Sequence, residues 1–239
     1  MTLKLSVIIP AYNEATTITT LLQRVVEVSL DYGFTKEIVV IDDGSTDNTI
    51  ELVKGFISTN TQHSIKLVEH EKNKGKGAAL HTGIYAATGD YIIVQDADLE
   101  YDPREFNLLL KPVVEAGANV VYGSRFMGGN PHRILFFWHS IGNQFLTFLT
   151  NMVTNLNLTD METCYKLFQA EIVKPIKLKE TRFGFEPEVT AKIARIDNIK
   201  IYEVGISYYG RTYAEGKKIN WKDGLRAIYC IIKYGLFRR

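Results

Sequence analysis

The stretch DYIIVQDADLEYDP, residues 90–103, decides the fold. Its near-continuous apolar run, Tyr91-Ile92-Ile93-Val94, reads as a buried strand. The run ends abruptly in two carboxylates one residue apart, Asp96 and Asp98, with Glu100 and Asp102 following. Like charges this close repel unless a cation lies between them or one keeps its proton. In an extended segment residues i and i+2 point to the same side. Asp96 and Asp98 together therefore reach one hard cation, or one cation and a ligand hydroxyl. Magnesium and manganese prefer oxygen ligands and often take only one or two carboxylates plus phosphate oxygens. Asp102, before Pro103, reads instead as a helix N-cap.

Outward from this strand the chain alternates. LSVIIP, EIVVID, IKLVEH and NVVYGSR read as further strands. EATTITTLLQRVVEVSL, TDNTIELVKGFI, GAALHTGIYAAT and DPREFNLLLKPVVEAG read as the helices between them. Strand–helix alternation with Val/Ile-rich strands predicts an α/β fold: a largely parallel sheet covered on both faces. Ligands of such sheets lie beyond the carboxyl ends of the strands. That rule puts Tyr12, Asn13, Glu14, Asp42, Asp43, Asp96, Asp98 and Arg125 along one edge, each closing a strand.

The second half changes character. Residues 126–135 are Gly/Asn/Pro-rich and read as a loop. FFWHSIGNQFLTFLTNMVT predicts one or two helices with exposed aromatics. TCYKLFQ and YEVGISYY are candidate strands, EPEVTAKIAR a helix, and WKDGLRAIYCIIKYGLF a last helix. No repeat or linker divides the chain, so we expect a single domain over 1–239, with a ligand-binding half (1–125) and an added half (126–239).

Composition excludes several classes. A formal net charge of +1 over 239 residues argues against a broad nucleic-acid footprint. Cys164 and Cys230 form neither a disulfide framework nor a zinc spacing, and a reducing compartment fits them. The start, MTLKLSVIIPAYNE, reads as a first strand rather than a signal peptide. The longest uncharged stretch, near 134–159, carries His139, Asn143, Gln144, Asn151 and Asn155 and is no spanning helix. HExxH, GxSxG and CxxC are absent, so zinc and serine hydrolysis have no visible machinery.

Other strand ends are polar too. In IDDGSTD, residues 41–47, Gly44 permits a tight turn, and Ser45, Thr46 or Asp47 can cap the next helix. The doubled Asp42-Asp43 points either to capping alone or to hydrogen bonds with a base N–H or a ribose hydroxyl. In PAYNE, Pro10 stops the strand, Tyr12 offers a stacking face, and Glu14 is either a ligand group or a first-turn acid. EKNKGKGAAL lacks a Walker pattern, and a glycine turn opening a helix is expected, with Lys76 near a phosphate. Arg125, Arg133, Arg211, Lys217 and Lys218 supply cations for phosphates or else an ordinary basic surface.

Taken together, VIIPAYNE, VVIDDGSTD, NKGKGAAL, GDYIIVQDADLEYDP and VVYGSR resemble the family-2 glycosyltransferases of GT-A fold. LTDMETCYKLF, FGFEPEVTAK and EVGISYYGRTYAEGKKINWKDGLRAI narrow the resemblance to polyprenyl-phosphate glycosyltransferases, the dolichyl-phosphate mannose and glucose synthase group. The resemblance implies a Rossmann-like GT-A domain that moves a hexose, with inversion, from a UDP-glucose or GDP-mannose type donor to a polyprenyl phosphate. It implies Mg2+ or Mn2+ at the Asp96-Ala97-Asp98 signature. It places Pro10, Tyr12, Glu14, Asp42 and Asp43 at the nucleoside, and Arg125, Arg211 and Lys217 (or Lys218) at donor and acceptor phosphates. A sugar-hydroxyl acceptor would need a base such as Glu162 or Glu186, whereas a lipid phosphate is already anionic.

An isoprenoid acceptor also implies work at a bilayer, on its cytoplasmic face. Leu135-Phe136-Phe137-Trp138, Phe145-Leu146-Phe148-Leu149 and the C-terminal amphipathic helix with Ile228, Tyr229, Ile231, Ile232, Tyr234, Leu236 and Phe237 beside Lys233, Arg238 and Arg239 suit peripheral attachment, or else pack inward. The QxxRW motif of processive synthases and a C-terminal membrane-spanning region are both absent from these residues.

Overall fold

A computed structural model describes residues 2–128, 131, 133–134, 136–212 and 221–237. The apolar runs form seven strands in one sheet: β1 (Lys4–Ala11), β2 (Thr35–Asp42), β3 (Ile65–Glu69), β4 (Tyr91–Val94), β5 (Val120–Ser124), β6 (Lys166–Gln169) and β7 (Ile201–Gly205). Their spatial order is β3-β2-β1-β4-β6-β5-β7. β1 to β4 run parallel, as the alternation predicts. β6 enters antiparallel between β4 and β5, and β7 lies parallel to β5.

This order positions the site. The chain moves outward from β1 to β2 to β3, then returns to lay β4 on the other side of β1. Crossover connections leaving in opposite directions open a crevice beyond the carboxyl ends of the two central strands. The β1–β4 register pairs Ile8 with Val94, so the ends of both strands meet at that crevice.

Helices α1 (Ile18–Glu27), α2 (Thr49–Thr59), α3 (Lys76–Ala86) and α4 (Phe106–Ala116) link the first five strands. Their buried stripes, such as Ile18, Leu21, Leu22 and Val25 on α1, close the core over Val7, Ile8, Ile9 and Ile38 to Ile41. A short 3-10 turn, Pro103–Glu105, precedes α4, and Asp102 caps it by accepting from Arg104 N at 3.0 Å. The second half adds α5 (Phe137–Thr154), the short α6 (Ala170–Val173), α7 (Phe185–Ile193) and α8 (Trp221–Leu236).

α8 packs on α5 and α7. Gly235 permits the approach to α5, since a Cβ there would lie 2.3 Å from Val153 Cγ2. Ala227, Cys230, Ile231 and Tyr234 form the buried stripe of α8. The outward residues are apolar as well. Trp221, Leu225, Tyr229, Ile232 and Leu236 are exposed on α8, and Phe137, Ile141, Phe145, Phe148 and Met152 on α5. Both sets repeat at four- and three-residue steps, one face of a helix. The expected membrane-facing set is thus corrected: Ile231 and Tyr234 turn inward, Leu146 and Leu149 pack against the core, and Leu135, Arg238 and Arg239 lie outside the described residues. Among the described residues no helix is long and apolar enough to cross a membrane.

Candidate active site

The crevice is a cleft of about 560 Å³. Pro10, Tyr12 and Glu14 line it from the end of β1, Asp43 from β2, and Asp96, Ala97 and Asp98 from β4. Arg125 follows β5, and Arg211 follows the segment after β7. The polar strand ends gathered from sequence therefore meet in one place. Asn13 and Asp42 are the exceptions: Asn13 is absent from the cleft wall and its Oδ1 accepts from Thr46 N at 2.8 Å, and Asp42 is turned away as well. The Asp42 side chain is fully buried and absent from the cleft wall, and its Oδ2 accepts from Ser45 N at 2.9 Å within the turn. Lys217 and Lys218 lie outside the described residues.

Asp43 reaches the wall, but protein groups engage its oxygens. It accepts from Lys74 N at 2.9 Å and Gly75 N at 2.7 Å, and lies 2.7 Å from His70 Nδ1. It pins the glycine turn that opens α3. Gly75 has φ +99°, and a Cβ there would meet Thr181 O at 2.5 Å. A Cβ on Gly77 would meet Glu180 O at 2.4 Å. The glycines thus serve a close backbone approach by residues 180–182, and that segment brings Arg182 and Phe183 to the cleft.

The acidic tip of β4 is held by two cations. Lys76 Nζ lies 2.8 Å and 3.0 Å from the two oxygens of Asp96, and 3.9 Å from Glu186. Arg211 Nη2 lies 2.9 Å from Asp98 Oδ2, and its Nη1 lies 3.6 Å from Glu14 Oε2. Glu100 sets Arg211 in place, accepting from its backbone N at 2.6 Å and from Tyr208 O–H at 2.7 Å. Burial, then Asp96 and Glu100, push the Asp98 carboxyl up to about 7, against the pull of Arg211. Burial disfavours the Lys76 ammonium, but Asp96 and Glu186 hold it protonated well above its usual range.

Arg125 differs from the expected open cation. Its Nε and Nη2 donate to Asp160 at 2.6 Å and 2.7 Å, and its guanidinium lies 5.1 Å from the Tyr208 ring centroid. Asp160 is fully buried.

Residues 6–176 match the domain described as glycosyl transferase family 2. The chain belongs to this family. It is a glycosyltransferase, and its sheet is the expected GT-A fold. A dodecaprenyl-phosphate galacturonate synthase of Rhizobium johnstonii is 26% identical over 90% of this chain. The chain spans 62% of that relative's length. A dolichyl-phosphate β-glucosyltransferase of Dictyostelium discoideum is 28% identical over 90% of this chain and 68% of its own. Among solved structures, glucosyl-3-phosphoglycerate synthase from Mycobacterium tuberculosis, in complex with Mn2+, uridine diphosphate and phosphoglyceric acid, superimposes with a TM-score of 0.75. It is 18% identical, covering 99% of this chain and 80% of the other.

Sequence reasoning missed several wall residues of this glycosyltransferase, among them Tyr101, Cys164, Arg182 and Tyr208. It named Glu162 and Glu186 as bases for a hydroxyl acceptor only, and both line the cleft. Glu162 Oε1 and Glu186 Oε2 are buried without a hydrogen-bond partner among the described residues. Burial, then Glu186, push the Glu162 carboxyl up to about 8, while Lys166 and Arg125 oppose the shift.

The site also tests the implied metal. Among the described residues no group of three or more His, Cys, Asp or Glu side chains converges to hold an ion. Asp96 and Asp98 supply a hard-oxygen pair, which suits a cation that takes its remaining ligands from phosphate and water.

Proposed function

We propose that the chain transfers a hexose from a nucleotide-diphosphate sugar to a polyprenyl phosphate, inverting the anomeric centre. The observation that carries this reading is the acidic β4 tip at the sheet's switch point, flanked by Tyr12 and by Arg211. Asp96 and Asp98 would hold Mg2+ or Mn2+, with Ala97 between them on the cleft wall. Bound there, the cation supplies Lewis-acid stabilisation of the departing diphosphate. Pro10, Tyr12, Glu14 and Asp43 form the nucleoside side, and Asp42 supports the turn beneath them. Arg211 offers charge to the phosphates, as do Lys217 or Lys218 in the segment that follows. Arg125, braced by Asp160, keeps a fixed guanidinium on the same wall.

A lipid phosphate oxygen is anionic at neutral pH and attacks the anomeric carbon without a base. The carbon–oxygen bond to the diphosphate breaks on the opposite face, giving a β-linked product from an α-linked donor. Residues 1–125 serve the donor and 126–239 the acceptor. The exposed stripes of α5 and α8, with Lys222, Arg226 and Lys233 alongside, fit a peripheral position on the cytoplasmic face of a membrane. The names of the two relatives, one a dodecaprenyl-phosphate and the other a dolichyl-phosphate enzyme, support the acceptor class.

A second reading keeps the donor and replaces the acceptor with a sugar hydroxyl. Glu162 and Glu186 on the cleft wall favour it, because such an acceptor needs a base. A donor panel of UDP- and GDP-sugars, offered with polyprenyl phosphate and Mn2+, separates the two. Organic-extractable label supports the lipid acceptor. Label entering only water-soluble saccharides supports the hydroxyl.

A further inference from the structure

The contacts of Asp96 have a consequence for how a cation and a donor bind. Both of its oxygens lie within 3.0 Å of Lys76 Nζ. A divalent ion ligated by Asp96 must take one of those oxygens, and then stands beside an ammonium. Asp98 gives Oδ2 to Arg211 at 2.9 Å, while its Oδ1 accepts from Glu100 N at 3.1 Å. Both carboxylates of the tip are thus paired with built-in cations before any metal is counted, and Glu186 near Lys76 and Glu14 and Glu100 near Arg211 share those cations. A dication arriving alone at Asp96 displaces the Lys76 ammonium from its partner, whereas one arriving with a diphosphate gives that ammonium a new partner.

We infer that Lys76 competes with the divalent cation for Asp96 and passes to the donor's diphosphate when the cation binds, so that metal and nucleotide bind cooperatively. This rests on the reading of Asp96 and Asp98 as the metal ligands. Lys76 is suited to the exchange. It is the first residue of α3, directly after the turn pinned by Asp43, so its Cα is fixed. Its stem is flexible and ends in a compact charge with three donors. It lines the same cleft as Tyr12, Asp98 and Arg211, so the ammonium can leave Asp96 without leaving the site. The first turn of α3 carries no acid, and a lysine at a helix N-terminus opposes the helix dipole. Asp96 offsets that cost, and a diphosphate would offset it equally.

The coupling is reciprocal: whatever factor the nucleotide adds to metal affinity, the metal adds to nucleotide affinity. Lys76→Met keeps the stem and removes the charge, while Lys76→Arg keeps the charge. The test is calorimetric Mn2+ binding to the full chain at low ionic strength, alone and with UDP or GDP. The parent should bind Mn2+ weakly alone and more tightly with the matching nucleotide. Lys76→Met should bind Mn2+ alone about fivefold more tightly, as loss of one partly exposed competing ion pair allows, and gain less from the nucleotide. Lys76→Arg should behave as the parent. Asp96→Asn should weaken Mn2+ binding and cancel the gain from Lys76→Met. If Asp96→Asn weakens binding but Lys76→Met does not tighten it, the competition is refuted and the metal assignment stands. If Asp96→Asn leaves Mn2+ binding unchanged, the metal assignment falls and the competition with it.

Discussion

On the cleft wall Glu186 is 6% exposed, and Asp160 beneath Arg125 is fully buried; on the outer side of the second half Trp138 is 77% exposed and Trp221 72%. One region buries charge and the other leaves aromatic carbon in water. Each departs from the usual distribution, in opposite directions. In the cleft three of the buried or half-buried carboxylates are compensated internally. Asp96 has Lys76, Asp98 has Arg211, and Asp160 has Arg125. On α5 and α8 the inner stripes are packed and the outer ones face solvent. A region whose carboxylates are paired with cations on a cleft wall is able to exchange those partners for a ligand's. A region whose apolar face lies open is ready to gain one.

If the cleft carries the chemistry and the helical face only the docking, the largest separation comes from Asp98. Asp98→Asn should lower transfer roughly 10³-fold, as removal of transition-state charge stabilisation does, with vesicle binding unchanged. Paired transfer and flotation assays check it, and loss of flotation would break the division. Asp160 probes whether the buried charge is structural. Asp160→Ala leaves the Arg125 guanidinium without its bidentate partner and should cost about 3 kcal/mol of stability, read from the urea midpoint. An unchanged midpoint would show that Arg125 does not depend on this pair.

The helical face is tested from the other side. Replacing Phe148 or Trp138 by Ser should weaken vesicle binding by roughly tenfold each, in line with the apolar area withdrawn from water. Transfer to a short, water-soluble polyprenyl phosphate should be unaffected. Equal losses on both acceptors would place these residues in the core instead.

A pH dependence within the cleft offers a further test of its buried charge. Burial pushes the folded Glu162 carboxyl up to about 8, above its ordinary value of 4.5. The folded chain therefore holds that proton more tightly than the unfolded chain. Glu162 costs nothing below pH 4.5, and its cost grows as pH rises to about 8. Glu162→Gln should thus melt higher than the parent near pH 8 and alike near pH 4.5, by calorimetry. An offset independent of pH would contradict the burial assigned to this carboxyl.

How much of this was legible in the sequence follows the same contrast. β1 to β5 and their helices declare themselves by Val/Ile runs and helical spacing, which are local signals. The reversal of β6 does not. KLFQ carries a strand's composition, but direction is fixed by insertion between β4 and β5, far apart in the chain. The acidic β4 tip was legible because two carboxylates at i and i+2 are a local pattern. The cations that hold them were not paired in advance, because Lys76 and Arg211 meet their partners 20 and 113 residues away. Asp42 and Asp43 looked equivalent, yet neighbouring residues at a strand end point to opposite sides, and only Asp43 reaches the cleft. The α5 and α8 stripes were visible as apolar residues, but which side packs inward depended on Gly235 meeting Val153.

The division of labour is tested most directly by following labelled sugar from a nucleotide donor into the organic phase, with polyprenyl phosphate in vesicles and Mn2+. The parent chain should deliver label into lipid, and Asp98→Asn should bind the vesicles yet deliver almost none. Equal delivery by the two, or label that never leaves the aqueous phase with any donor, would contradict it.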